Sequence, residues 1–154
     1  MAKANLQVGA TEVGSRNGSG HKILVVDDEL GMREGCRRSL ARHGFDVHTA
    51  ENGSDGLRML QEEDYDLVLV DIIMPGISGL ELLECIRQYD PSITCLVITG
   101  YAALNVATQA LALGAHDVLA KPFTSEELLI MVQDALEERE QSAEEDHVWH
   151  WTTG

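Results

Sequence analysis

The sequence is short of positive charge, of aromatic residues, of cysteine and of long apolar runs. Each shortage excludes something. Lys and Arg number 11 against 26 Asp and Glu, a formal net charge of -15. Surface binding of nucleic acid needs clustered cations to neutralise phosphates, so direct binding is not expected. The same charge repels anionic membranes and keeps the chain soluble. No apolar stretch approaches the roughly 18 residues that would cross a bilayer. The first residues lack an apolar h-region, which argues against a signal peptide and for a cytoplasmic location. Aromatics make up only 5% of the chain, so the core should be aliphatic. Cys36, Cys85 and Cys95 lie in apolar contexts without metal-ligand spacing, and read as buried free thiols.

What is present is a chain of 154 residues, 44% hydrophobic, enough for one domain with a core. Residues 1–20 mix Gly, Ser, Asn and charge without periodicity and read as a disordered N-terminal segment. Residues 21–138 carry the pattern of a domain. Within it, HKILVV, Phe45–Thr49, LVLV after Asp66, Thr94–Ile98 and His116–Ala120 read as strands. Helical stretches separate them: Met32, Cys36 and Leu40 share one face, Asn52 caps the second, Leu80–Tyr89 is the third, and Ala103–Leu113 is Ala-rich. Thr124 and Glu127 form a capping box for the last helix. Strict alternation of strand and helix predicts an α/β fold with a parallel sheet covered on both faces. Beyond Glu137 the apolar stripe is lost, so residues 139–154 read as a frayed helix end and an acidic tail or linker. His147 and His150 in HVWHW suit a tail better than a metal site, because no Cys or third His is near. Trp149 and Trp151 could mark a docking segment.

Four strands end in a polar group: the pair Asp27 and Asp28, then Asp71, Thr99 and Lys121. Taken singly, each is ordinary. An Asp at a strand end commonly caps a helix, and a Lys before a helix is commonly a surface cation. Together they are not, since ligands of an open α/β sheet bind outside the carboxyl ends of its strands. Three gathered carboxylates require a divalent cation, and all-oxygen ligands suit Mg²⁺. The metal and a Lys neutralise a transferring phosphoryl group, Asp71 attacks as nucleophile, and Thr99 can donate a hydrogen bond to a phosphoryl oxygen.

The segments ILVVDDE, LVLVDIIMPGISGLELL, VITGYA and GAHDVLAKPF closely resemble the receiver domains of bacterial response regulators, from about Lys22 to Leu136. The resemblance implies a flavodoxin-like doubly wound sheet with strand order 2-1-3-4-5, in three α/β/α layers. It implies that Asp71 is the phosphoacceptor, with a phosphohistidine of a sensor histidine kinase or phosphotransfer protein as donor. Asp28 would bind Mg²⁺ directly, Asp27 through water and Ile73 through its backbone carbonyl, with Mn²⁺ as a substitute. Lys121 would pair with the phosphoryl group, Thr99 would be the switch hydroxyl, and the Lys121–Pro122 bond would be cis. The output would be a rearranged face formed by the last two helices and the strand between them, read by a downstream domain or protein or by a second copy of the chain. The chain would then be a signalling domain that catalyses only its own phosphorylation and slow self-dephosphorylation, either standing alone or excised from a longer transcriptional regulator.

Two departures from the family pattern matter. The family has an aromatic residue three positions before the Lys, where this chain has Val118, so half of the usual switch is missing; Tyr101 could replace it only partly. The residues that flank the attacking water in the family are here Ile73 and Tyr101. Neither is a carboxylate or amide that could orient water, which predicts a long-lived phosphoryl group. Three other readings are weaker. A haloacid-dehalogenase-type phosphatase needs a second Asp at position 73. A degenerate receiver would not keep its acids, Thr and Lys. A nucleotide-binding flavodoxin relative would need a Gly-rich phosphate loop after the first strand.

Overall fold

The computed structural model describes residues 20–100 and 104–153. Five strands alternate with five helices: β1 (Lys22–Val26), α1 (Leu30–Ala41), β2 (Asp46–Ala50), α2 (Gly53–Glu62), β3 (Leu67–Asp71), α3 (Gly79–Tyr89), β4 (Thr94–Thr99), α4 (Leu104–Ala112), β5 (Asp117–Ala120) and α5 (Ser125–Thr153). The strands form one sheet in the order β2-β1-β3-β4-β5, and every pairing is parallel. This is the flavodoxin-like arrangement that the resemblance implies.

The alternation of side chains along each strand divides the core in two. Leu24, Val26, Val68, Val70, Cys95 and Val97 face α2, α3 and α4, where Leu60, Leu82, Leu83, Ile86 and Ala110 cover them. Ile23, Val25, Leu67, Leu69 and Leu96 face α1 and α5, meeting Cys36, Leu40, Leu128, Val132 and Ala135. The chain leaves β1 in one direction to reach β2 and returns in the other to reach β3. Right-handed crossovers therefore put α1 on the face opposite α2, α3 and α4. The return creates a crevice between β1 and β3 at their carboxyl ends.

Local chemistry fixes the helix ends. Gly44, with φ 91°, turns the chain after α1. Asn52 accepts from the Asp55 N–H at the start of α2. The expected capping box of Thr124 and Glu127 forms, with both bonds made. A second box joins Ser78 and Glu81 at the start of α3.

Two expectations need correction. Cys36 and Cys95 are buried, but Cys85 is only half-buried, because it lies on the flank of α3 beside the core-facing Ile86. The last helix does not fray at Glu137; it continues to Thr153. No Gly or Pro interrupts that run, and its Ala, Glu, Gln and Arg residues favour helix even without a core-facing stripe. The side chains of His147, Trp149, His150 and Trp151 lie outside the described residues, as do Tyr101 and the N-terminal segment up to residue 19. Among the described residues, no helix is long and apolar enough to cross a membrane.

At the amino ends of the strands, α5 is fastened by one Arg–Asp ion pair and two contacts to histidine rings. Glu138 meets His116 at 2.8 Å, Arg139 meets Asp66 at 2.9 Å and Glu140 meets His21 at 3.2 Å. Arg139 also donates to the Ser92 carbonyl. The second Asp66 oxygen accepts from the Lys22 backbone N–H at 2.8 Å. The Lys22 ammonium meets Glu63 at 3.2 Å.

Candidate functional site

The opposite rim gathers the polar strand ends. Asp27 follows β1 and is fully buried, while Asp71 closes β3 with 4% of its surface exposed. Asp28, next in the chain, is exposed. These three carboxylates offer oxygens that all lie within 4.8 Å of one another. Lys121 follows β5 and reaches over the group, with its Nζ 3.0 Å from Asp71 Oδ2 and 3.3 Å from Asp27 Oδ2. Thr99, at the end of β4, is fully buried, and its carbonyl accepts from the Lys121 N–H at 2.8 Å. Parallel pairing sets this convergence, because Asp71 lies beside Ile98 and Thr99 beside Ala120. The Lys121–Pro122 bond is cis.

Backbone donors orient both buried acids. Asp27 Oδ1 accepts from the Glu29 N–H at 2.9 Å, and Asp71 Oδ1 from the Ile73 N–H at 3.0 Å. Burial is the main cause that pushes the Asp27 carboxyl above the usual range, and the nearby Asp71 charge adds to it. The Glu29 N–H and Lys121 oppose the shift without cancelling it. Burial on its own would lower Lys121, yet its bond to Asp71 and the charges of Asp27 and Asp71 raise it overall. The pocket therefore keeps its cation firmly charged while its acids remain under mutual repulsion. Clustered carboxylate oxygens with excess negative charge are the donor set of a hard divalent cation such as Mg²⁺.

The remaining predicted positions are placed unevenly. The Ile73 side chain is 53% exposed beside Asp71. Val118 pairs with Val97 and packs, half-buried, against the core of the α2–α3–α4 face. It is thus set back from the rim. Tyr101 is outside the described residues.

Three contributors were not singled out from the sequence. Arg33 donates from Nη1 to the Asp27 carbonyl at 2.8 Å. Glu29 lies 3.4 Å from Lys121 through Oε1. Gly79 presses the start of α3 against the strand end that carries Asp71: its N–H donates to the Ile72 carbonyl at 2.9 Å, and a Cβ there would collide with the Asp71 and Ile72 backbone. The second Gly of PGISG was a visible signal of such an approach, whereas nothing in the sequence marks where Arg33 or Glu29 turns.

Comparison with known proteins agrees with this geometry. Residues 23–133 match the family model of the response regulator receiver domain. The chain is 34% identical over 138 residues to the regulatory protein AtoC of Escherichia coli K12, covering 85% of this chain and 30% of that protein. It is 39% identical over 127 residues to the response regulator protein PilR of Pseudomonas aeruginosa, covering 82% and 28% respectively. Among solved structures, a CheY-like receiver domain protein from Methanospirillum hungatei JF-1 superposes with a TM-score of 0.76 at 31% identity, over 79% of this chain and 98% of that one. NtrX from Brucella abortus gives 0.79 at 30% identity, over 82% of this chain and 29% of its own. The chain thus spans less than a third of the length of AtoC, PilR and NtrX.

Proposed function

The chain belongs to the response regulator receiver domain family of two-component signalling, and from that premise we propose that Asp71 accepts a phosphoryl group from a phosphohistidine of a sensor kinase or phosphotransfer protein. The observation that carries this reading is the seat of Asp71: nearly buried, 3.0 Å from the Lys121 ammonium and grouped with two further carboxylates. An Asp71 oxygen attacks phosphorus while the bond from phosphorus to the donor imidazole breaks, and the imidazole nitrogen keeps the electron pair. Asp27, Asp28, Asp71 and the Ile73 carbonyl would hold the Mg²⁺, which supplies positive charge against the oxygens of the transferring group. Lys121 exchanges its Asp71 partner for a phosphoryl oxygen, and the Thr99 hydroxyl donates to another.

The output passes mainly through Thr99 and the loop after it, because Val118 lacks a ring and packs into the core. Partner binding in Thr99→Ala should lose its dependence on a phosphate mimic, and a retained response would refute that route. Longer relatives favour a module that follows α5 as the reader, in the cytoplasm. Ile73 offers no group to orient an attacking water, so hydrolysis of the acyl phosphate is slow. Ile73→Asn with Tyr101→Glu should speed the loss of label.

The deciding experiment is treatment with Mg²⁺ and acetyl phosphate, followed by intact mass and sizing. One phosphoryl group is expected on the wild type and none on Asp71→Asn. An unlabelled wild type, or equal labelling of the variant, would overturn the proposal.

A further inference from the structure

Glu29 occupies the N-cap position of α1, yet its side chain makes no capping hydrogen bond. Glu is a poor N-cap to begin with, since Ser, Thr, Asp and Asn are the residues that cap well. Its carboxylate instead turns toward the pocket, with Oε1 3.4 Å from Lys121 Nζ. Its backbone serves the same site, because its N–H holds Asp27 Oδ1 at 2.9 Å. The single ammonium is therefore shared among Asp71 at 3.0 Å, Asp27 at 3.3 Å and Glu29 at 3.4 Å. Asp27 and Asp71 are fixed by burial and by backbone donors. Glu29 is different: its side chain is 67% exposed, so it is the one partner of the three that solvent and salt can screen.

We propose that Glu29 is a positioning residue that competes with the incoming phosphoryl group for Lys121 and sets how readily the site loads. This rests on the phosphoacceptor reading given above. Its carboxylate adds negative charge beside the three acids, which helps to attract a divalent cation. The same charge opposes the approach of an anionic phosphoryl donor and holds Lys121 back from the group it must reach. The two effects have opposite signs, and both weaken with ionic strength because Glu29 is exposed. Removing a cap could not produce that pairing, and no cap is present to remove.

The test compares wild type, Glu29→Gln and Glu29→Asp. Gln keeps the length and removes the charge; Asp keeps the charge but falls short of Lys121. Mg²⁺ binding is measured by calorimetry without any phosphoryl donor. Labelling by acetyl phosphate is then timed at saturating Mg²⁺, at low and at high salt. For Glu29→Gln, Mg²⁺ should bind about threefold more weakly and labelling should run about threefold faster at low salt, the scale of one exposed ion pair. Both differences should shrink at high salt. Glu29→Asp should keep the Mg²⁺ affinity and gain part of the labelling rate. Unchanged values in Glu29→Gln, or affinity and labelling falling together, would overturn the proposal. A wild type that binds Mg²⁺ but never labels would refute the phosphoacceptor reading instead, and the Mg²⁺ comparison would still decide whether Glu29 acts on the site.

Discussion

The two rims of the sheet handle charge in opposite ways. At the amino ends the acids are exposed or half-buried and meet separate partners: Asp66 pairs with Arg139 and Glu63 with Lys22, while Glu138 meets the His116 ring and Glu140 the His21 ring. At the carboxyl ends, Asp27, Asp71 and Glu29 share the Lys121 ammonium, and Asp28 lies beside the two buried acids. The amino-end rim is exposed enough for water to screen each contact, so its contribution is to hold α5 in place at modest energy. The other rim buries two acids that share one ammonium. A fold kept only for stability has little use for buried acids, since replacing a buried ion pair with well-packed apolar groups of similar volume is often neutral or stabilising. The contrast teaches that burial of acids, rather than their number, sets the candidate site apart from the rest of the surface.

Gly79→Ala should have the largest effect on stability. Its methyl group would strike the backbone of Asp71 and Ile72, which cannot swing aside as a flexible side chain would. We expect a loss of about 2–3 kcal/mol in urea unfolding. A loss below the error of the measurement would mean that the acidic rim does not depend on this close contact.

Asp27→Asn should act in the other direction. Its carboxyl is raised by burial, so the folded chain binds that proton more tightly than the unfolded chain does. The stability linked to it is complete below the ordinary aspartate range and is lost as pH rises through the raised value. Near neutral pH, without Mg²⁺, the variant should therefore be more stable than the wild type, and its stability should be flatter as pH rises above the ordinary aspartate range. Denaturant midpoints across a pH series would show this; a variant less stable at neutral pH would erase the proposed contrast between the rims.

Asp66→Ala should cost least, about 0.5–1 kcal/mol, since the side chains of its ion pair with Arg139 are about a third exposed. Hydrogen exchange should quicken in α5 near Arg139 while labelling at Asp71 stays unchanged. Altered labelling would show that the two rims are coupled rather than separate.

Much of this was legible in the sequence, for reasons that differ by residue. Asp71, Asp27 and Lys121 could be located because each interrupts or follows a short apolar run, and a parallel sheet brings the carboxyl ends of such runs together. Val118 was visible as a missing ring, but its packing into the core needed the register with Val97. Glu29 and Arg33 were unreadable as site residues, because charged residues at a helix start have many places to turn and only tertiary structure selects one. The extent of α5 is not legible in the sequence, because loss of an apolar stripe signals loss of packing. It says nothing about loss of helix when good helix formers continue.

That continuation has a mechanical meaning. From the side-chain contacts at Glu138, Arg139 and Glu140, α5 runs on to Thr153, and the stretch after Glu140 rises about 20 Å. Pivoted at its base, such a rod acts as a pointer. A tilt of about 5° at these contacts would carry its tip about 2 Å, by the same rise per residue. A rearrangement too small to break a single contact inside the domain would thus be magnified at the far end of its last helix.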